Sequence, residues 1–179
     1  MLKILRLQKN KICLENKGEF SIPTDLINRY DLRKRESIST EEYYELIEKL
    51  MLSAAYYYLA RRDYSKKELS DKLYQRYGEK KIIEKIMIFL EAKGYIDDYE
   101  FARNYVENSR DGIKKIEYSL MLKGIPSSVI RELLQSKDQK EAIIKAWEKL
   151  GSKEPEKKIA SLMRKGFRYS DIRKALSEI

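Results

Sequence analysis

The chain has 179 residues, 42% hydrophobic and 37% charged, with 38 lysines and arginines against 29 aspartates and glutamates, a net charge of +9. Such a length suits one extended domain or two small ones around a real core, and the positive excess favours anionic partners such as nucleic acid. Histidine is absent and Cys13 is the only cysteine, which excludes histidine-based acid–base and nucleophilic catalysis, an intramolecular disulfide and a cysteine–histidine zinc cluster.

The opening Met1–Lys9 stretch is too polar for a signal peptide. No apolar run approaches the ~20 residues of a membrane span, so a soluble, cytoplasmic protein without a membrane partner is expected. Over residues 1–22, Leu2, Ile4 and Leu7, then Ile12 and Leu14, then Phe20 and Ile22 form short, partly alternating runs. Turn-forming Asn, Gly and Lys residues separate them, and this predicts a small β-meander or hairpin. Pro23-Thr24-Asp25 predicts a short helix to about Leu32, with Thr24 as its cap. Arg33-Lys34-Arg35-Glu36 reads as a basic turn, either a phosphate contact or a solvated loop.

From Ser39 onward the pattern is helical. Ser39-Thr40-Glu41-Glu42 has the spacing of a capping box, as do Ser65 to Glu68 and, with Asp as a variant cap, Asp97 to Glu100. Apolar residues then recur at spacings of three and four. The first such group has Ala54, Ala55, Tyr58 and Leu59, then Leu69 and Leu73, then Ile82, Ile83, Ile86, Phe89 and Leu90, ending at Gly94. The second has Phe101, Ala102, Tyr105 and Val106, then Ile116 and Leu120, then Val129, Ile130, Leu133 and Leu134, with Pro126 in the first turn of its last helix. The third has Ala142, Ile143, Ala146, Trp147 and Leu150, then Ile159, Leu162 and Met163, then Ile172, Ala175 and Leu176.

A unit therefore occurs three times: a paired-lysine helix start, a leucine, a glycine and a second short amphipathic segment. The copies run from Lys66-Lys67 to Gly78, Lys114-Lys115 to Gly124, and Lys157-Lys158 to Gly166. Their glycines lie 46 and 42 residues apart, a period that belongs to stacked helical repeats. The predicted fold is mainly α: tandem three-helix repeats in an elongated, curved stack, with a small N-terminal β-hairpin or meander. The expected domains are 1–50 (β element and linking helices), 51–96, 97–137 and 138–179 (repeats one to three). Such a stack presents a long surface rather than a pocket.

Asp97-Asp98 is the nearest approach to an acidic pair, and at a helix start it reads as capping. Phosphate-cradling glycine loops and dinucleotide fingerprints are missing, so neither an enzyme nor a cofactor is expected. The basic residues are more informative. Arg61, Arg62, Lys66, Lys67, Lys72 and Arg76 surround the first helix-to-helix junction. Lys114, Lys115 and Lys123 occupy the matching place in the second unit, and Lys157, Lys158, Arg164, Lys165 and Arg168 in the third. If the units stack regularly, these clusters form a basic track suited to a nucleic-acid backbone or a filament groove. Lysines at a helix N-terminus oppose its dipole, so helix propensity does not explain them. Of the 14 tyrosines, Tyr56-Tyr57-Tyr58 faces three directions of one helix, and fits either base stacking or helix edges. Trp147 falls at an apolar position expected in the core.

The segment Tyr58-Leu-Ala-Arg-Arg-Asp-Tyr-Ser-Lys-Lys-Glu-Leu69 resembles the opening motif of the RecX family, bacterial regulators of the RecA recombinase. The similarity continues through Leu90-Glu-Ala-Lys-Gly-Tyr-Ile-Asp-Asp-Tyr-Glu-Phe-Ala102, Tyr105-Val106, Ser109-Arg-Asp-Gly112, Lys115-Ile116, Leu120 and Lys123-Gly-Ile125. It is specific for about 54–135; the third unit matches only in pattern. Lys114 stands where the family commonly has proline and Lys115 where it commonly has arginine, and lysine is the poorer bidentate partner. The resemblance implies a monomeric, non-enzymatic regulator that binds in the groove of the RecA–single-stranded DNA filament, with duplex DNA a weaker ligand. There it would modulate ATPase, coprotease and strand-exchange activities, usually as an inhibitor, in recombination, DNA repair and the SOS response. Read from the residues alone, a helix-turn-helix or winged-helix DNA-binding protein remains open, with Ser65 to Lys93 as the helices and 1–22 as the wing. A helical adaptor with a protein-only partner also remains open.

Overall fold

The structure, a computed structural model, describes residues 1–177. It is mainly helical, with a small antiparallel sheet at the N-terminus. The chain divides into two compact units: residues 1–63 with 69–95, and residues 64–68 with those from Ile96 on.

In the first unit, β1 (Leu2–Gln8), β2 (Lys11–Leu14), β3 (Gly18–Ser21) and β4 (Ser37–Ile38) form a sheet in the order β3-β2-β1-β4. The predicted meander is thus present. The fourth strand is an addition, because two residues after a basic turn carry no readable alternation. A bulge between Ile4 and Arg6 shifts the register of β1 against β2 and leaves Leu5 exposed, which is why the alternation in β1 is imperfect.

Helix α1 (Thr24–Arg29) is shorter than predicted, and Thr24 is not its cap: Pro23 holds the N-cap position, and the Thr24 hydroxyl donates to Asn10 Oδ1 at 3.2 Å. Asp31, at φ 48°, breaks the helix before a 3-10 turn over Leu32–Lys34. Arg35, read as part of a basic turn, makes paired hydrogen bonds to the Glu42 carboxylate at 2.6 and 2.7 Å.

That carboxylate also completes the predicted Ser39 capping box at the start of α2 (Thr40–Leu59), accepting from the Ser39 amide at 2.8 Å while the Ser39 hydroxyl accepts from the Glu42 amide. Helix α2 buries Tyr43, Leu46, Ile47, Leu50, Met51, Ala54 and Ala55 on one face, the stripe that a 3.6-residue period dictates. α3 (Lys66–Tyr77) buries Leu69 and Leu73, and α4 (Lys80–Ala92) buries Ile82, Ile83, Ile86, Met87 and Leu90. Lys17, in the β2–β3 turn, and the Tyr43 hydroxyl both bond Glu79 at the head of α4, at 2.6 and 2.8 Å. The sheet therefore anchors the helices of its own unit.

In the second unit, α5 (Asp98–Asn108), α6 (Ile113–Leu122) and α7 (Ser127–Gln135) enclose a core that includes Phe101, Ile116, Leu120 and Ile130. Helices α8 (Lys140–Glu148), α9 (Pro155–Arg164) and α10 (Tyr169–Leu176) enclose another around Ile143, Leu162, Phe167 and Ile172. Pro126 stands at the N-cap of α7 rather than inside its first turn. Trp147 is not a core residue: it is only half-buried at the edge of its cluster, with the Lys158 ammonium 4.7 Å from its ring centre.

Candidate nucleic-acid interface

Two of the three lysine pairs stand at junctions between a helix start and the end of another helix, both within the second unit. Ser65 is fully buried. Its hydroxyl accepts from the Glu68 amide at 3.2 Å and donates to the Lys123 carbonyl, just beyond α6, at 2.7 Å. Glu68 reaches back to the Ser65 amide at 3.3 Å, so the second predicted capping box forms, and the same carboxylate pairs with Lys123 Nζ at 2.6 Å. The Lys67 side chain lies over Gly124, where an added Cβ would come within 2.8 Å of it.

The next junction repeats this geometry with different atoms. The Gly112 amide donates to the Lys165 carbonyl at 2.9 Å and the Lys114 amide to the Gly166 carbonyl at 3.1 Å. A Cβ on Gly112 would sit 2.0 Å from the Gly166 carbonyl carbon, and one on Gly166 would sit 2.6 Å from Lys115 Cβ. Glycine is required where two backbones approach this closely.

These junctions supply a reason for the paired lysines. A cation opposes the dipole of the helix it begins, but favours the carbonyl end of the helix it abuts. Both glycines follow helix ends with paired backbone bonds: Gly124 to Met121 and Ile125 to Leu120, and Gly166 to Met163 and Phe167 to Leu162. These satisfy the last carbonyls of α6 and α9.

The acidic pair is divided between two helix starts. Asp97 caps α5, accepting from Tyr99 and Glu100 amides, whereas Asp98 Oδ1 accepts from the Lys66 amide at 2.7 Å. The predicted third capping box is half made, because Glu100 turns to Arg103. Among the described residues no cluster of three or more acidic, cysteine or histidine side chains suits a metal, and no helix is long and apolar enough to cross a membrane.

The candidate cations fall into two classes. Lys123 is committed to Glu68 and lies against Phe101 and Tyr105, and Lys115 pairs with Asp111 at 3.0 Å. Lys66 and Lys67 belong to the Ser65 junction. Arg61 packs on Tyr57, Lys72 on Tyr58 and Arg76 on Tyr77, while Arg62 bonds the Asp63 carbonyl. Lys114, Lys157, Arg164, Lys165 and Arg168 are exposed. Tyr56 meets Tyr95 edge-on at 5.2 Å and Tyr57 is exposed, so part of the tyrosine run faces solvent.

Sequence spacing missed Lys137, which reaches back to the Val106 and Ser109 carbonyls at the end of α5. Burial pulls its ammonium below the usual lysine range. It also missed Arg131 and Lys174, which join Arg168 along one cleft. No local motif marks them, since their only common feature is position in space.

Residues 52–90 match the model of the RecX first three-helix domain. The regulatory protein RecX of Bacillus licheniformis is 34% identical, with 96% of this chain and 72% of the relative covered. That of Clostridium acetobutylicum is 27% identical over 94% and 88%. Among solved structures, RecX from Lactobacillus salivarius superposes with a TM-score of 0.64 at 27% identity, covering 74% of this chain and 96% of that one. The repeated helix starts, the matched first domain and the relatives' similarity over nearly all of this chain place it in the RecX family of regulatory proteins.

Proposed function

We propose that this regulator binds the RecA–single-stranded DNA filament and inhibits its ATPase, coprotease and strand-exchange activities, without catalysis of its own. The carrying observation is the recurrence of exposed cations at the same place in successive helical groups, Lys114 in one and Lys157, Arg164, Lys165 and Arg168 in the next, on a chain of net charge +9. In this reading residues 51–96, 97–137 and 138–179 act as contact modules, and several weak contacts add through their linkage. Preference for one filament state over another then shifts assembly. The helix-turn-helix alternative has less support, because α4 exposes Ile88 and Phe89, side chains that make none of the hydrogen bonds by which base edges are read.

The test is the single-stranded-DNA-dependent ATPase of the cognate recombinase, titrated with this protein at substoichiometric ratios. Inhibition at ratios too low to coat the DNA supports filament binding. Inhibition only on saturation of free DNA would replace this reading with simple competition for DNA.

A further inference from the structure

Within the second unit, α6 and α7 face α8 and α10 across a cleft of about 580 Å³, in the size range of small-molecule sites, ~300–1,000 Å³. Its apolar lining comes from Ile113, Ile130, Leu134 and Ile143. Arg131, Lys137, Lys140, Arg168 and Lys174 contribute positive charge, against Glu117, Asp138 and Asp171. Asp138 accepts from the Lys140 amide and Asp171 from the Ser170 hydroxyl. The side chains of Arg131, Arg168 and Lys174 make no hydrogen bond or ion pair among the described residues.

Gln139, just before α8, also lines this cleft and is only 5% exposed. Among the described residues neither its amide nitrogen nor its amide oxygen has a hydrogen-bond partner, and its side chain does not cap α8. A buried polar group left unpaired is destabilising, and such exceptions call for an explanation.

We infer that the cleft takes one nucleotide: an unstacked base against the apolar lining, and its phosphate at Arg168 and Lys174. Rotation of the Gln139 side chain presents a donor and an acceptor side by side, the pattern that pairs with a base edge. An inorganic anion would leave the apolar lining unused, and an apolar peptide would leave Arg168 and Lys174 without an anionic partner. This inference rests on the nucleic-acid arm of the proposed function and specifies one of its contacts. The nucleotide belongs to a single strand or is free in solution, and the two sources are separable.

The test uses the full chain without recombinase, so its failure leaves the ATPase result standing. A labelled short oligothymidylate is titrated, and thymidine monophosphate is added as competitor. Arg168→Ala weakens binding about tenfold, the loss of one charge-assisted phosphate contact. Gln139→Leu weakens it about as much and raises the melting temperature, because an unpaired amide is removed. Arg29→Ala, an exposed cation outside the cleft, leaves affinity unchanged. Poor competition by the monophosphate assigns the site to a strand; competition at matched affinity assigns it to a free nucleotide. Absence of binding, unchanged affinity in Arg168→Ala, or an equal loss in Arg29→Ala overturns the inference. If Gln139→Leu does not fold, the exposed Arg168 carries the test alone.

Discussion

The Ser65 hydroxyl donates to the Lys123 carbonyl at 2.7 Å across 58 residues of sequence, while accepting from the amide that its own helix start leaves open. One oxygen thus serves a local cap and a long-range junction. Ser65→Ala removes both bonds and leaves a part-buried carbonyl without this donor, so a loss of about 1–3 kcal/mol is expected. Urea denaturation measures it; a midpoint within error of the parent would show that the junction is dispensable.

Gly112 has an ordinary φ of −71°, so alanine there introduces no backbone strain. Its methyl group would meet backbone at 2.0 Å. Gly112→Ala is expected to destabilise the second unit by about 2–4 kcal/mol, the scale of overpacking and lost backbone hydrogen bonds. Hydrogen exchange of the Gly112 and Lys114 amides reads the effect directly. Retained protection at both amides would contradict the close approach.

Glu42 is held at a pKa of about 2, chiefly by the Arg35 guanidinium and then by the Ser39 amide. Its folded value lies below the ordinary 4.5. The associated stability is therefore present above pH 4.5 and is lost as pH falls toward 2. Glu42→Gln should cost about 1–3 kcal/mol at neutral pH, and the gap to the parent should narrow across that acid window. A gap independent of pH would mean that the carboxylate charge contributes nothing.

Lys123 and Lys157 should part company under mutation. Lys123 pairs with a mostly buried Glu68, so Lys123→Met lowers stability by about 1–3 kcal/mol. Lys157 is exposed, so Lys157→Ala leaves the melting temperature alone and weakens filament binding. Calorimetry combined with filament pull-down separates these outcomes; equal melting losses in both would dissolve the distinction.

Salt provides a further measurement. If the exposed cations neutralise phosphates of a single strand, log affinity falls with log salt at a slope of about −0.7 per phosphate. Reversing the charge of Arg164 and Arg168 together should flatten that slope by more than one such step. A flat response in the parent protein would favour the protein-only adaptor.

Sequence by itself determined the main helix starts and stops from Ser39 onward, because their causes are local. A cap acts over three residues, as from Ser39 to Glu42, and the glycine stops at Gly94, Gly124 and Gly166 close bonds over three to five. The apolar stripes were equally legible, since periodicity alone sets which face is buried. Tertiary structure decided what those ends meet. Lys66-Lys67 and Lys114-Lys115 looked unfavourable within their own helices and became intelligible only beside the carbonyl ends near Lys123 and Lys165. The division of Asp97 and Asp98 between two helices, the short β4 strand, the partly buried Trp147 and Gln139, unpaired among the described residues, arise the same way. Each depends on residues tens of positions apart, where spacing carries no signal and only packing brings donor to acceptor.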